Sequence, residues 1–184
     1  ITDIRFPYYV YAGQQDYSSV AVPNRTSGRG IDWSDWYSAA GCESAYLAFD
    51  PDNPVDVYGG CYQGLIEKLN VVTRNSRSIM AYEYLGLGSV PKDQKYRFNW
   101  NAPIFASPHD PTIIYHAGNV LFKTADGGDS WEIISPDLTK NDIKKHDLGS
   151  IPFTNEAAGG EVYNTIMYAV ESIHDKGVIW TGSD

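Results

Sequence analysis

The sequence predicts an all-β protein, and composition and a repeated motif are the observations that predict it. Aromatic residues make up 14% of the 184 residues, with 14 Tyr and 5 Trp beside 17 Gly and 10 Pro. Aromatic side chains favour strands, whereas Gly and Pro favour the turns that join them. We therefore expect a strand content above roughly 35% and very little helix.

The repeated motif consists of a β-branched residue, an aromatic residue, one or two further residues and then Gly. Its four copies lie at residues 10–13, 57–60, 114–118 and 179–182. Asp-Pro and Asn-Pro pairs precede the second and third copies, and such pairs form tight turns because Pro fixes φ and Asp or Asn bonds the local backbone. Each unit is therefore predicted to be a strand, a turn and a second strand.

The spacing of the copies predicts the architecture. Their aromatic positions are about 47 to 65 residues apart, and repeats of about 40–50 residues with four strands are typical of β-propeller blades. We predict a fragment of a β-propeller, a single partial domain of about three four-stranded blades with incomplete first and last blades. The predicted parts are a partial blade 1–40, a blade 43–97, a blade 98–135, a connection 136–160 and a partial blade 161–184.

Four strands are predicted in each complete blade. In the blade 43–97 they lie at residues 44–49, 56–62, 65–72 and 77–83. In the blade 98–135 they lie at residues 101–106, 113–117, 120–124 and 131–135. The first blade lacks its first strand and the last stops after its second, and a helical turn is expected near residues 137–141.

The sharpest local motif lies between the last two predicted strands of the blade 98–135. It is Ser/Thr-x-Asp-x-Gly-x-x-Trp, an Asp-box, formed by Thr124, Asp126, Gly128 and Trp131. We expect a hairpin turn in which the Asp126 carboxylate accepts turn amides, glycine supplies a positive φ and a largely buried Trp131 packs beneath. A calcium site at Asp126 is the alternative.

Much of the sequence resembles the propellers built from Asp-box repeats, also called bacterial neuraminidase repeats. This group includes sialidases, xyloglucanases and sortilin-type domains. The resemblance rests on residues 5–16, 96–104 and 107–142 and covers nearly the whole chain. It is strongest to large bacterial sortilin-like and Asp-box "glycosyl hydrolase" proteins. The resemblance implies an extracytoplasmic propeller within a longer polypeptide, and it implies no particular activity.

The sequence contains two candidate catalytic residues and one segment with a weak similarity to a known catalytic motif. Arg5-Phe6-Pro7 is similar to the Arg-Ile-Pro motif of sialidases, but it precedes a second strand rather than an inner one, which argues against sialidase chemistry. A glycoside hydrolase needs two carboxylates about 5–9.5 Å apart across a cleft. Glu43 and Glu161 qualify by position, and the favoured alternative is that both are rim carboxylates bonded to loop amides.

A binding site is predicted at Asn99, Trp100 and Asn101, where the chain enters the first strand of the blade 98–135. Amide side chains and an indole suit the hydroxyls and ring faces of sugars. The alternative, which we favour, is that Trp100 fills the gap between two blades while the Asn side chains bond the local backbone.

The predicted partners follow from charge and hydropathy. The net charge of −9 opposes binding to nucleic acid, no apolar run approaches a membrane span of about 18 residues, and we find no metal or cofactor motif. We expect a non-catalytic binding or assembly module of a larger secreted or envelope protein, with a polypeptide or a glycan as its partner. Further polypeptide is expected to cover both ends, and a glycoside hydrolase is the alternative function.

The two cysteines, Cys42 and Cys61, allow two interpretations. The predicted hairpin register places them about one diagonal step apart, slightly too far for a disulfide unless a bulge at Gly59-Gly60 shifts the register. An extracytoplasmic location permits the bond. Two free, half-buried thiols are the alternative, which we favour.

Overall fold

The protein is all-β. The computed structural model describes residues 1–43, 46–87, 89–146 and 162–184. Over these residues it contains four antiparallel sheets, no α-helix and two short 3-10 turns at Pro91–Asp93 and Ile143–Lys145. Strands make up 30%, less than the expected 35%, because most strands have only two to five residues and long loops join the sheets. No helix among the described residues is long and apolar enough to cross a membrane.

The first and last sheets are small. The first has three strands in the order β1-β2-β3, namely β1 Tyr9–Ala12, β2 Val20–Pro23 and β3 Tyr37–Ser38. The last is a two-stranded hairpin, with β12 Ile166–Glu171 and β13 Ile179–Ser183. The two small sheets lie at the two ends of the sequence.

The two middle sheets have four strands each, and in both of them consecutive strands pair. The second sheet contains β4 Leu47–Ala48, β5 Asp56–Gly60, β6 Ile66–Asn70 and β7 Ser76–Ser78. The third sheet contains β8 Ile104–Ala106, β9 Ile114–Ala117, β10 Leu121–Thr124 and β11 Glu132–Ile133. All eight strands overlap the ranges predicted from the sequence. The 3-10 turn at Ile143–Lys145 lies just beyond the helical turn expected near residues 137–141.

Successive sheets pack face to face through apolar clusters. Tyr11 of β1 contacts Phe49, which follows β4, with ring centroids 4.4 Å apart. Tyr58 of β5 packs with Ile104 and Ile114 of the third sheet, and similar clusters join the third sheet to the fourth. The first strand of the third sheet, β8, contacts both β4 and β12. The first strands of three sheets therefore lie side by side in the order β4, β8, β12.

Candidate functional site

A groove runs along these three first strands. It has a volume of about 640 Å³, and residues of β4, β8 and β12 and of the turns that follow β4 and β8 line it. Its aromatic and apolar lining includes Tyr46, Phe105, Tyr168 and Val170, and its acidic lining consists of Asp50 and Asp52. Since three sheets contribute to it, the groove exists only when they are assembled.

Two of the aromatic side chains are held in place by contacts, one between sheets and one within the third sheet. The Tyr46 hydroxyl donates to the Met167 carbonyl at 3.2 Å, which ties the second sheet to β12. Burial, with a smaller contribution from Tyr168, raises the pKa of Tyr46, so its hydroxyl stays protonated and remains a donor. Phe105 stacks on Tyr115 at 5.0 Å, and Tyr168 is 57% exposed. The groove thus presents fixed aromatic surface to solvent.

The two carboxylates of the groove come from a single turn. Asp50 and Asp52 lie between β4 and β5, and Asp50 Oδ1 accepts the Asp52 amide at 2.9 Å. Such a bond stabilises the turn and places both acids on the same wall. A glycoside hydrolase instead needs carboxylates on opposite sides of the bond that it cleaves. Asp50 and Asp52 can bind a cation or a polar group, but they do not face each other across a bond to be cleaved.

Of the two predicted catalytic residues, the structure describes Glu43, which lies outside the groove. Glu43 Oε2 accepts the amide of Asp16 at 3.0 Å, and Glu43 is not among the residues that line the groove. It therefore behaves as the rim carboxylate of the favoured alternative. Glu161 lies outside the described residues.

The predicted binding residues Asn99, Trp100 and Asn101 precede β8 and do not line the groove. Asn99 is buried. Its side-chain Nδ2 donates to Thr165 Oγ1 at 3.4 Å, and its side-chain Oδ1 accepts the backbone amide of Asn101. Trp100 is half-buried and stacks on Tyr62 with centroids 5.0 Å apart. Trp100 thus packs against the loop after β5, whereas the Asn99 side chain also reaches the distant Thr165 and is not limited to the local backbone. Asn101 is exposed.

The Asp-box turn has the hydrogen bonds that its sequence predicts. Asp126 Oδ1 accepts the amides of Asp129 and Ser130, each at 3.0 Å, and the Thr124 hydroxyl at 2.7 Å. Hydrogen bonds from Ser130, first of all from its hydroxyl, lower the pKa of Asp126, which stays ionised. Gly128 has a φ of +90°. The Asp126 carboxylate therefore finds its hydrogen-bond donors within its own turn.

Trp131 differs from the expectation of a largely buried side chain. It is half-buried, because it lies at the edge where the second and third sheets meet. Its indole Nε1 donates to the Ile79 carbonyl at 2.9 Å, and its ring packs against the clusters that contain Ile79 and Phe122. Trp131 therefore bridges two sheets and leaves one edge in solvent.

Cys42 and Cys61 form a disulfide, with Cα atoms 4.5 Å apart, so the favoured interpretation of two free thiols was wrong. The Cys42 amide donates to the Gly60 carbonyl at 3.0 Å. Gly41 has a φ of +77°, and an added Cβ there would meet the carbonyl carbon of Gly59 at 2.5 Å. The chain therefore turns tightly against β5 and makes the cysteines direct neighbours rather than diagonal ones.

A buried polar network beneath the third sheet was missed by the sequence analysis. Arg97 pairs with Asp137 at 2.7 Å and donates to the Asn164 carbonyl at 3.1 Å. Asn119 donates to the same Asp137 oxygen at 2.8 Å. Burial opposes ionisation of Asp137, but hydrogen bonds from Thr139, Asn119 and Arg97 outweigh it and lower its pKa to about 2. These bonds fix the loop after β11 to the sheet.

Among the residues that the structure describes, no group of three or more His, Cys, Asp or Glu side chains could hold a metal ion. Comparison of the sequence with protein-family models found no match, and comparison with curated proteins also found none. The resemblance to Asp-box propellers therefore rests on the sequence motifs described above.

Proposed function

We propose that the chain is part of a β-propeller of the Asp-box type and serves as a non-catalytic binding or assembly module of a larger secreted or envelope protein. The carrying observation is the row of first strands, β4, β8 and β12, beside one open groove. In a propeller the inner strands of successive blades line a central channel in this way. The Asp-box turn between β10 and β11 supports the same proposal.

The chemistry of the groove supports binding rather than hydrolysis. Its aromatic side chains offer apolar surface, and Asp50 and Asp52 offer charge, as binding pockets commonly do. Its two carboxylates share one turn, and Glu43 is bonded to a loop amide. The partner is a polypeptide or a glycan.

The disulfide supports an extracytoplasmic location. Disulfides such as Cys42–Cys61 form and persist in oxidising compartments and are rare in the cytosol of most cells. A structural cystine close to a surface loop is thus consistent with secretion or with a place in the cell envelope.

Exposed apolar residues of the end sheets support the proposal that further polypeptide covers these sheets. Trp180 of β13 is 67% exposed, and Met167 of β12 and Val10 of β1 are 47% and 43% exposed. Single exposed apolar residues are ordinary, but a contiguous apolar sheet face indicates an interaction surface. In the proposed propeller, the neighbouring blades would pack against these sheets.

The proposal is tested with the full-length polypeptide that contains these residues. Electron microscopy should show a ring with repeated blades, and arrays of peptides and glycans should give a ligand whose binding is weakened by Tyr168→Ala. An assay of reducing-sugar release from polysaccharides should remain at background. Sugar release that Glu43→Gln abolishes would support the hydrolase instead, and a compact sandwich without a channel would exclude the propeller.

A further inference from the structure

We propose that the groove binds a polypeptide segment by an Arg or Lys side chain that is flanked by apolar residues. This inference rests on the proposed binding function and names the class of its partner. It is carried by three features of the groove: the sign of its charge, its aromatic walls and its size.

The side chains that line the groove carry a net negative charge. Asp50 and Asp52 line it, and its lining contains no Lys, Arg or His side chain. Ile1 also lines the groove, and its terminal ammonium donates to the Tyr11 carbonyl at 3.2 Å. Neither carboxylate forms an ion pair with any described residue. Asp50 uses Oδ1 for the Asp52 amide, which leaves its other oxygen for a ligand. A cationic group can therefore pair with this turn, whereas an anionic one is repelled.

The aromatic walls suit the same ligand. Tyr46 and Tyr168 contribute to one wall, and the exposed ring of Tyr168 is accessible from the groove. Aromatic faces attract ammonium and guanidinium groups through the negative potential of the ring. They also accept the apolar stem that joins such a group to a backbone. A Lys or Arg side chain combines both properties.

The size of the groove indicates a polypeptide rather than a small free cation. Its volume of about 640 Å³ lies within the range of about 300–1,000 Å³ that holds drug-sized ligands. One ammonium group fills a small part of this space. A Lys or Arg side chain with its apolar neighbours fills more of it and contacts Phe105 and Val170 at the same time.

The test measures binding by titration calorimetry with the full-length polypeptide and four probes. Two are the acetylated and amidated peptides Leu-Arg-Leu-Arg-Leu and Leu-Glu-Leu-Glu-Leu, and the others are choline and a neutral oligosaccharide. We expect the arginine peptide to bind, more weakly as salt is added, and the other three to bind at least about tenfold more weakly.

Matched variants locate the site. Asp50→Asn keeps an oxygen that can accept the Asp52 amide and removes the charge, so the turn is retained. Together with Asp52→Asn it should weaken binding of the arginine peptide about threefold to tenfold. Asp175→Asn, at the corresponding turn of the fourth sheet and outside the groove, should leave it unchanged. If the double variant does not fold, Asp52→Asn alone, at an exposed turn position, replaces it.

The outcomes separate this inference from the proposed function. Equal affinity for the two peptides, or affinity unchanged by the Asn variants, overturns the cationic partner. Binding of the acidic peptide or the oligosaccharide that depends on Tyr168 also overturns the cationic partner, but it supports the proposed function as a binding module. The absence of any ligand on the peptide and glycan arrays counts against both.

Discussion

At the scale of single residues, His116 makes the stability of the protein depend on pH. It is fully buried in β9, its Nδ1 bonds the Pro103 carbonyl at 2.9 Å, and its ring stacks on Phe98. Burial penalises the charged imidazole and lowers its pKa to about 4, although the bond to Pro103 acts in the opposite direction. In the unfolded chain the pKa is about 6.5.

The sign of the effect follows from this difference. As the pH falls below about 6.5 the unfolded chain binds a proton that the folded protein does not bind until about pH 4. The free energy of unfolding should therefore fall by about 2 kcal/mol between pH 7.5 and pH 5. Urea denaturation of the full-length protein at several pH values measures it. His116→Gln should make the free energy of unfolding less dependent on pH between pH 7.5 and pH 5. The control His174→Gln, at an exposed position, should leave this dependence unchanged. An unchanged dependence in His116→Gln would contradict the assignment to His116.

Residue-level prediction from the sequence succeeded where the partners are local. The bonds of Asp126 lie within four residues, so the motif alone was enough to predict them. The Arg97–Asp137 pair joins residues 40 positions apart through a loop, and no periodicity indicates such a pair. The disulfide depended on a tight turn at Gly41, which the assumed hairpin register did not contain.

At the scale of elements, the strands were predictable because turn residues and β-branched or aromatic residues alternate along residues 47–133. The course of the chain between β7 and β8, over the described residues 79–87 and 89–103, could not be predicted. It depends on contacts such as the stacking of Trp100 on Tyr62 and the packing of Phe98 over His116. These contacts form only after the second and third sheets meet.

The disulfide should raise the free energy of unfolding of the protein. It closes a loop with a sequence separation of 19, and a cross-link of that length stabilises by about 3 kcal/mol through the unfolded chain. Thermal unfolding with and without a reductant should show a lower Tm after reduction. The variant Cys42→Ser with Cys61→Ser should already have the low Tm and should not respond to the reductant. Two thiols titrating in the denatured, unreduced protein would exclude the bond.

Two glycines of the repeated motif should differ strongly in their response to the same substitution. In β5, a Cβ added to Gly59 would clash with the carbonyl of Ala40 and lie 2.8 Å from the Gly41 amide nitrogen, whereas a Cβ at Gly182 in β13 meets nothing within 4 Å. Gly59→Ala should therefore destabilise by about 1–3 kcal/mol or more, because backbone must move. Gly182→Ala is the matched control and should be nearly neutral. Equal unfolding midpoints in urea for both variants would contradict the close packing of residues 39–41 on β5.

At the scale of the whole molecule, the order of the sheets followed from the repeat, but the groove did not. Asp50 and Asp52 were predicted only as turn residues, and Tyr46 and Tyr168 had no predicted role. Their proximity depends on how the second, third and fourth sheets are placed side by side, which the spacing of a motif does not encode. A site built by one element is visible in sequence, whereas a site shared by three sheets needs the structure.

Residues 1–184 expressed alone should associate with one another. The end sheets expose Val10, Met167 and Trp180 at 43%, 47% and 67%, and exposed apolar sheet residues beside free edges associate with other chains. We expect self-association in analytical ultracentrifugation and a broad thermal transition that depends on protein concentration. Trp180→Ser should reduce the association, whereas Trp33→Ser, at a still more exposed residue (81%) of the loop between β2 and β3, should not. A monomer with one sharp, concentration-independent transition would show that no further polypeptide is needed to cover these sheets.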